Sequence, residues 1–237
     1  VCNRVVAIDF ETYYDDDYSL KTLGTYAYVY HPNFDCYLIS VHTSDGFVFS
    51  GPPDEFERWD LLDKAQLVAH NASFDQLVLT RLIELGKAPD IKYQQFDCTA
   101  DLSVYMSAPR NLQQATEVLL GRKISKAYRK TAHAKTWVDF DSVEREQIQD
   151  AGKADALSCL KIWETYNSQW PERERELSRL NRRQGWYGVK INRERLTQHI
   201  DTLETRLWEA GKHIPWEWGG KISKTPLRRS IIKEYCQ

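Results

Sequence analysis

Four carboxylates in three separate contexts are the residues of this chain best placed to do chemistry: Asp9 with Glu11, then Asp75, then Asp155. Asp9 and Glu11 end the run Val5-Val6-Ala7-Ile8-Asp9-Phe10-Glu11-Thr12, whose first four residues are continuously apolar and predict a buried strand. Side chains two apart on a strand point to one face, so the two carboxylates share it. Like charges at the end of a buried strand repel, and desolvation adds to the cost. A cation between them removes that cost, and an all-oxygen ligand set suits magnesium or manganese. The triplet alone also fits a strand running into a solvated acidic turn, continued here by Asp15-Asp16-Asp17.

The other two acids sit in helical contexts. A short apolar run, Leu67-Val68-Ala69, leads into His70-Asn71-Ala72-Ser73-Phe74-Asp75, which puts Asp75 in the first turn of a predicted helix. There the helix dipole favours a carboxylate, and an ordinary helix-start aspartate reads the same way. Asp155 falls inside a predicted helix among Ala154, Leu157, Leu160 and Ile162, a pattern that leaves its face open.

The elements that must position these acids follow from periodicity. The opening third reads as β-rich. After the strand over residues 5–9 come two β-branched and aromatic runs, 25–30 and 37–42, separated by His31-Pro32-Asn33 as an antiparallel pair. Phe47-Val48-Phe49 follows the hairpin signal Asp45-Gly46. Beyond Gly51-Pro52-Pro53 the pattern predicts a helix over 54–64, a strand over 66–70 and a helix over 73–86 stopped by Gly86. A strand over 91–97 follows, then helices over 99–107, 112–120 and 142–170, and a helix–turn–helix over 177–211. A meander followed by strand–helix units is an α/β layered fold, compatible with a ribonuclease H-like core.

Composition sets the outer limits. A chain of 237 residues holds one large domain, or one domain and part of another. A formal net charge of -2 excludes a globally basic protein, so nucleic-acid binding must use local patches. One such stretch is Arg122, Lys123, Lys126, Arg129, Lys130 and Lys135, interleaved with Tyr128 and His133; it suits a phosphate backbone and exposed bases, or a solvated loop. The five cysteines are dispersed without a Cys-x-x-Cys pair, which argues for reduced thiols in a cytosolic compartment over a zinc site or disulfide framework. No apolar run is long enough to span a membrane, and no secretory signal is present. The chain begins at Val1 and its one methionine is Met106, as expected of a piece of a longer protein. Trp208, Trp216 and Trp218 near the end read as packing positions for a further domain.

Taken together, Asp9-Phe10-Glu11, Asn71-Ala72-Ser73-Phe74-Asp75 and Asp155 resemble the DEDD exonuclease superfamily of the proofreading type. Asp9-Phe10-Glu11-Thr12, Leu20-Lys21-Thr22-Leu23-Gly24-Thr25-Tyr26-Ala27-Tyr28 and His31-Pro32 look like the exonuclease domain of phage-type family A DNA polymerases. Asp97-Cys98-Thr99-Ala100, Asn111-Leu112-Gln113-Gln114-Ala115 and the segment Leu180-Asn181-Arg182-Arg183-Gln184-Gly185-Trp186-Tyr187-Gly188-Val189-Lys190-Ile191 fit the same subgroup. The resemblance implies a ribonuclease H-like mixed sheet, antiparallel meander then parallel strands, flanked by helices. It implies an exonuclease domain over residues 1–170 and a helical segment over 171–237 leading toward a polymerase domain that is not present. One departure stands out. The family carries a tyrosine four residues before its last aspartate, or a histidine five before it; here those positions are Ala151 and Asp150. The hydroxyl that helps place the attacking water is missing from its usual position.

The same resemblance implies two-metal hydrolysis of a 3′-terminal phosphodiester with Mg2+ or Mn2+. Asp9 would bridge two ions, Glu11 and Asp155 would complete the water-activating site, and Asp75 would serve the second. Thr12, through its backbone, Asn71 and Phe74 would contact the terminal nucleotide, while Phe10 reads as core. The implied partners are DNA with a single-stranded or frayed 3′ end and a polymerase domain of the same parent chain, in a bacterial or phage-infected cytoplasm. Two alternatives stay open: an RNA 3′ exonuclease of the same superfamily, and a catalytically weak DNA-binding module that braces a polymerase.

Overall fold

The computed structural model describes residues 4–124 and 131–213. Its centre is a five-stranded sheet built from β1 (Val5–Thr12), β2 (Cys36–Thr43), β3 (Val48–Gly51), β4 (Gln66–Ala69) and β5 (Gln95–Cys98), in the order β3-β2-β1-β4-β5. β1, β2 and β3 are antiparallel; β4 joins β1 in parallel and β5 joins β4 in parallel. In the antiparallel half a short hairpin joins β2 to β3, whereas residues 13–35, which carry α1 (Leu20–Leu23) and α2 (Thr25–Val29), join β1 to β2. The parallel half needs a crossover, which α3 (Ala72–Glu84) supplies.

The two faces of the sheet are sorted by the two-residue strand period. Val6, Ile8 and Phe10 of β1, with Leu67 and Ala69 of β4, share a buried cluster with Leu77, Val78, Leu79 and Leu82 of α3. Tyr28 and Val29 of α2 (Thr25–Val29) join that face. Ala7 and Val68 face the other way, into a cluster with Leu102 of α4 (Thr99–Tyr105), Leu112 and Ala115 of α5 (Leu112–Leu120), and Cys159, Leu160, Ile162 and Trp163 of α6 (Ser142–Tyr166). Asp9 and Glu11 have the parity of Ala7, so the strand turns both carboxylates toward α6.

α6 starts at a capping box between Asp141 and Glu144. Gly152 lets it lie close on the sheet, because an added Cβ would collide with Ser40 Oγ and press on Leu38 Cδ2 at 3.1 Å. Gly152→Ala should therefore destabilise the fold by about 1–3 kcal/mol through overpacking, read as a lower denaturant midpoint with an unchanged slope.

Two expected elements take other forms. Residues 25–30 are not a strand: Gly24, at φ 76°, breaks the chain and α2 follows. Tyr28 and Val29 are buried side by side and Tyr26 stacks on Tyr30 at 4.6 Å, an i,i+4 contact that a strand cannot make. β2 therefore pairs with β1 and β3, not with this segment. Residues 54–64 are not one helix but two short 3-10 turns, Pro53–Glu55 and Trp59–Leu61. Phe56, Leu61 and Leu62 are all buried, at offsets that no single helical stripe provides. Among the described residues no helix is long and apolar enough to cross a membrane.

The first compact unit runs through Tyr187, beyond the boundary expected at residue 170. It includes α7 (Glu172–Tyr187), which packs along the outer edge of β5. The second unit, from Gly188, contains α8 (Arg193–Gly211), whose Leu196, Ile200, Leu203, Leu207 and Trp208 are exposed. Lys126, Tyr128, Arg129 and Lys130 of the basic stretch lie outside the described residues, as do Trp216 and Trp218. Of the described part, Lys123 pairs with Glu117 at 3.6 Å and Lys135 with Glu144 at 2.6 Å, so neither is a bare cation.

Candidate active site

The C-terminal end of β1 carries Asp9 and Glu11 to the α6 face, and α6 brings Asp155 down onto them. One oxygen from each lies within 4.8 Å of the others. Asp155 is 3% exposed, so the helix turns it inward toward the sheet and not to solvent. Three converging carboxylates, one of them buried, form an all-oxygen donor set. That set fits a hard divalent cation such as magnesium or manganese, since the acids alone would repel.

Asp75 reaches the same cavity from the first turn of α3 but stands outside this group of three. It is 2% exposed, and its Oδ1 accepts the Phe10 backbone N–H at 3.3 Å. Burial pushes its carboxyl well above the usual carboxylate range, and the charge of Glu11 pushes the same way. A raised folded-state value means that folding favours the neutral acid. Its contribution to stability is present below the unfolded carboxyl value of about 3.9 and is lost as pH rises through the raised one. Asp75→Asn keeps an acceptor for Phe10 and removes the titration. Without metal, it should melt above the parent at pH 8, and the gap should close toward pH 4. A gap independent of pH would show that burial of the charge is not what governs this residue.

Asp9, Glu11, Asp75 and Asp155 share one open cavity of about 750 Å³ with Thr12, Asn71 and Phe74. Thr12 Oγ1 lies 2.7 Å from the Tyr28 hydroxyl, which itself donates to the Tyr13 carbonyl at 2.5 Å. Tyr28 has one proton and spends it on Tyr13, so Thr12 is the donor of the pair and its hydroxyl is committed. Asn71 holds a left-handed conformation (φ 82°, ψ 48°) before α3, and its side chain makes no capping bond. Asparagine tolerates this region better than most residues, and the side chain stays available to the cavity. Phe74 is half-buried, 6.3 Å from the Tyr28 ring, while Phe10 is in the core at 4% exposure.

The cavity has lining residues that periodicity did not single out: Tyr14, Lys21, His70 and Arg110 among them. His70 closes the end of β4; its Nε2 lies 2.8 Å from the Arg110 carbonyl and its Nδ1 3.1 Å from Thr99 Oγ1. It thereby ties the loop before α5 to the sheet. A lone histidine after an apolar run carries no sequence signal for such a tie.

No family model and no curated protein matches this chain. Solved structures do. The chain superposes on Escherichia coli RNase D, an exoribonuclease involved in structured RNA processing, with a TM-score of 0.53 and 18% identity. That match covers 78% of this chain and 46% of RNase D, so the chain spans about half of that protein's length. A nuclease in its apo form matches with a TM-score of 0.54 and 17% identity, over 79% of this chain and 88% of that one. The fold is ribonuclease H-like. At these identities the likeness is one of architecture: the mixed sheet with its antiparallel half, its two parallel strands and its flanking helices.

Proposed function

We propose that this chain is a 3′–5′ exonuclease of the DEDD type, and that it serves as the proofreading domain of a phage-like family A DNA polymerase. The observation that carries the reading is the meeting of Asp9, Glu11 and Asp155 within 4.8 Å. They meet in a cavity that Asp75 also lines, on a ribonuclease H-like sheet. Magnesium or manganese, when bound, supplies a water of lowered pKa and neutralises charge on the phosphate. Asp9, Glu11 and Asp155 would hold it, with Asp75 beside them. Asn71 and the Thr12 backbone orient the terminal nucleotide, and Phe74 packs against its base or sugar. The water oxygen bonds to phosphorus as the bond to the 3′ oxygen breaks. Glu11 takes the water's proton, and the departing oxygen is protonated from solvent.

Two observations favour other readings. The likeness to RNase D favours an RNA 3′ end as substrate. Ala151, in place of a water-placing side chain, favours a module that binds DNA without cutting it. Degradation of 5′-labelled single strands, DNA beside RNA, with Mg2+ and with Mn2+, separates the three. The proposal expects laddering from the 3′ end, faster on DNA, abolished by Asp9→Ala and by chelation. Faster cleavage of RNA would move the chain to the RNA-trimming reading. Metal-independent binding without cleavage would leave the DNA-bracing module.

A further inference from the structure

Ala151 lies one helical turn before Asp155 on α6, so the two share a face. Its methyl group does not line the cavity; Tyr14 does. Tyr14 and Ala151 pack against the same small cluster of Tyr37, Leu38, Ala132, Phe140 and Ile148. Tyr14 is fixed there from both sides. Its carbonyl accepts the Ala134 N–H at 2.9 Å, and its ring meets the edge of His133 at 5.6 Å. His133 in turn reaches Asp16 at 3.1 Å.

A second tyrosine stands behind it. The β1–β2 pairing slips between Glu11 and Thr12: Glu11 faces Leu38 but Thr12 faces Cys36, which makes Tyr37 the extra residue of a bulge. Such a bulge re-aims a side chain, here onto the face of Leu38, beside α6. The Tyr37 hydroxyl is buried and has no hydrogen-bond partner among the described residues. Burial pushes its pKa up, with the charges of Glu11 and Tyr14 adding to the shift, and Tyr14 packs against the cluster that holds Tyr37.

We infer that Tyr14, delivered from the loop after β1 and seated over Ala151, supplies the hydroxyl that holds the attacking water beside Glu11 and Asp155. The inference rests on the nuclease reading and adds a residue to it. One hydrogen of the water goes to Glu11. The other is accepted by the Tyr14 oxygen, which fixes the water's lone pair toward phosphorus and takes no proton itself. Ala151 is small because the space above it belongs to a side chain from another element. Tyr37 is the positioning residue behind Tyr14.

The test is a cycle of Tyr14→Phe, Ala151→Tyr and the double variant, with Tyr37→Phe beside them. Each is assayed for single-turnover cleavage of a 5′-labelled DNA strand, for Mn2+ affinity by calorimetry, and for thermal midpoint. Loss of one hydrogen bond to a reacting water should lower the cleavage rate of Tyr14→Phe by about 10-fold to 100-fold. KM, Mn2+ affinity and melting should not move with it. Adding Ala151→Tyr to Tyr14→Phe should not recover the rate, because the ring that Tyr14→Phe keeps still fills the space above position 151. Full activity of Tyr14→Phe overturns the inference and leaves the nuclease standing. So does a loss confined to Tyr37→Phe, or a loss in Tyr14→Phe that tracks Mn2+ affinity or melting. Absence of 3′-end cleavage by the parent chain, with Mn2+ bound, overturns the nuclease reading and the inference together.

Discussion

Asp155→Asn should abolish cleavage and, in the absence of metal, make the protein more stable. Both halves follow from the same geometry. Asp155 is 3% exposed and has an oxygen within 4.8 Å of oxygens of Asp9 and Glu11. Like charges about 5 Å apart at an effective dielectric of about 20 repel by roughly 3 kcal/mol, before any relief by protonation or solvent. Asparagine is nearly isosteric, so it removes the charge without opening a cavity. The metal-free variant should gain about 1–3 kcal/mol, seen as a higher thermal midpoint at neutral pH. The cost appears in the reaction. A metal site supplies several kcal/mol of charge stabilisation in the transition state, so losing one anionic ligand should lower the rate by about a thousandfold or more. Magnesium should raise the melting temperature of the parent and do less for the variant, since only binding to the folded state stabilises it. An Asp155→Asn variant that cuts normally, or that melts lower than the parent without metal, would remove Asp155 from the metal-binding set.

The cost of burying charge explains why Asp9 and Glu11 stand out in the sequence, whereas Asp75 and Asp155 read locally as ordinary helical acids and join them only through the family resemblance. An acidic pair at the end of a run such as Val5–Ile8 has no packing reason to exist. The two-residue strand period then sends both of its carboxylates to one face. The helix over 112–120 and the one from 142 form where the sequence pattern expects them, and the structure adds the Asn111 cap and the Asp141–Glu144 capping box at their starts. Which way Asp155 faces is not legible. α6 is bounded by apolar residues on more than one side, and its packing on the sheet, close at Gly152 and continued by Cys159, Ile162 and Trp163, fixes the rotation that turns Asp155 inward. Residues 25–30 mislead for the opposite reason. Alternating tyrosines and β-branched residues carry strand propensity, but the sheet edge is taken by β3, and the segment buries Tyr28 and Val29 together as a helix. Tyr14 carries no local signal because its role depends on contacts with residues 132–151, far along the chain.

The same distance in sequence hides the fastening of α7, where the largest effect on stability is expected. Asp97 on β5 has a side chain only 1% exposed, and α7 answers it with Arg179. The guanidinium donates from Nε to Asp97 Oδ1 at 2.8 Å and from Nη2 to Oδ2 at 3.2 Å, a two-pronged grip. Its remaining donors reach Glu172 at 2.8 Å and Gln95 at 2.7 Å, while Arg182 donates to the Phe96 carbonyl at 2.6 Å. Removing Arg179 leaves a buried carboxylate with Gln66, whose Nε2 lies 2.7 Å from Asp97 Oδ2, as its remaining side-chain donor. Breaking one side of a buried pair costs about 3–5 kcal/mol, and partial exposure of the arginine places this case near the lower end. Arg179→Ala should therefore lower stability by about 3 kcal/mol, or the thermal midpoint by roughly 6–12 °C for a chain of this size. Arg179→Lys keeps the charge and loses the fork, so it should fall between. Asp97→Asn introduced into Arg179→Ala should restore part of the loss, because the stranded charge is then gone. The consequence extends to the site. Trp186 at the end of α7 donates from Nε1 to the Ser73 carbonyl at 3.2 Å, in the first turn of α3 that holds Phe74 and Asp75. A loosened α7 should therefore raise KM for the strand end more than it lowers kcat. A melting shift of less than a degree, or an effect on kcat alone, would mean that α7 is held by its apolar contacts and that the ion pair at Asp97 is incidental.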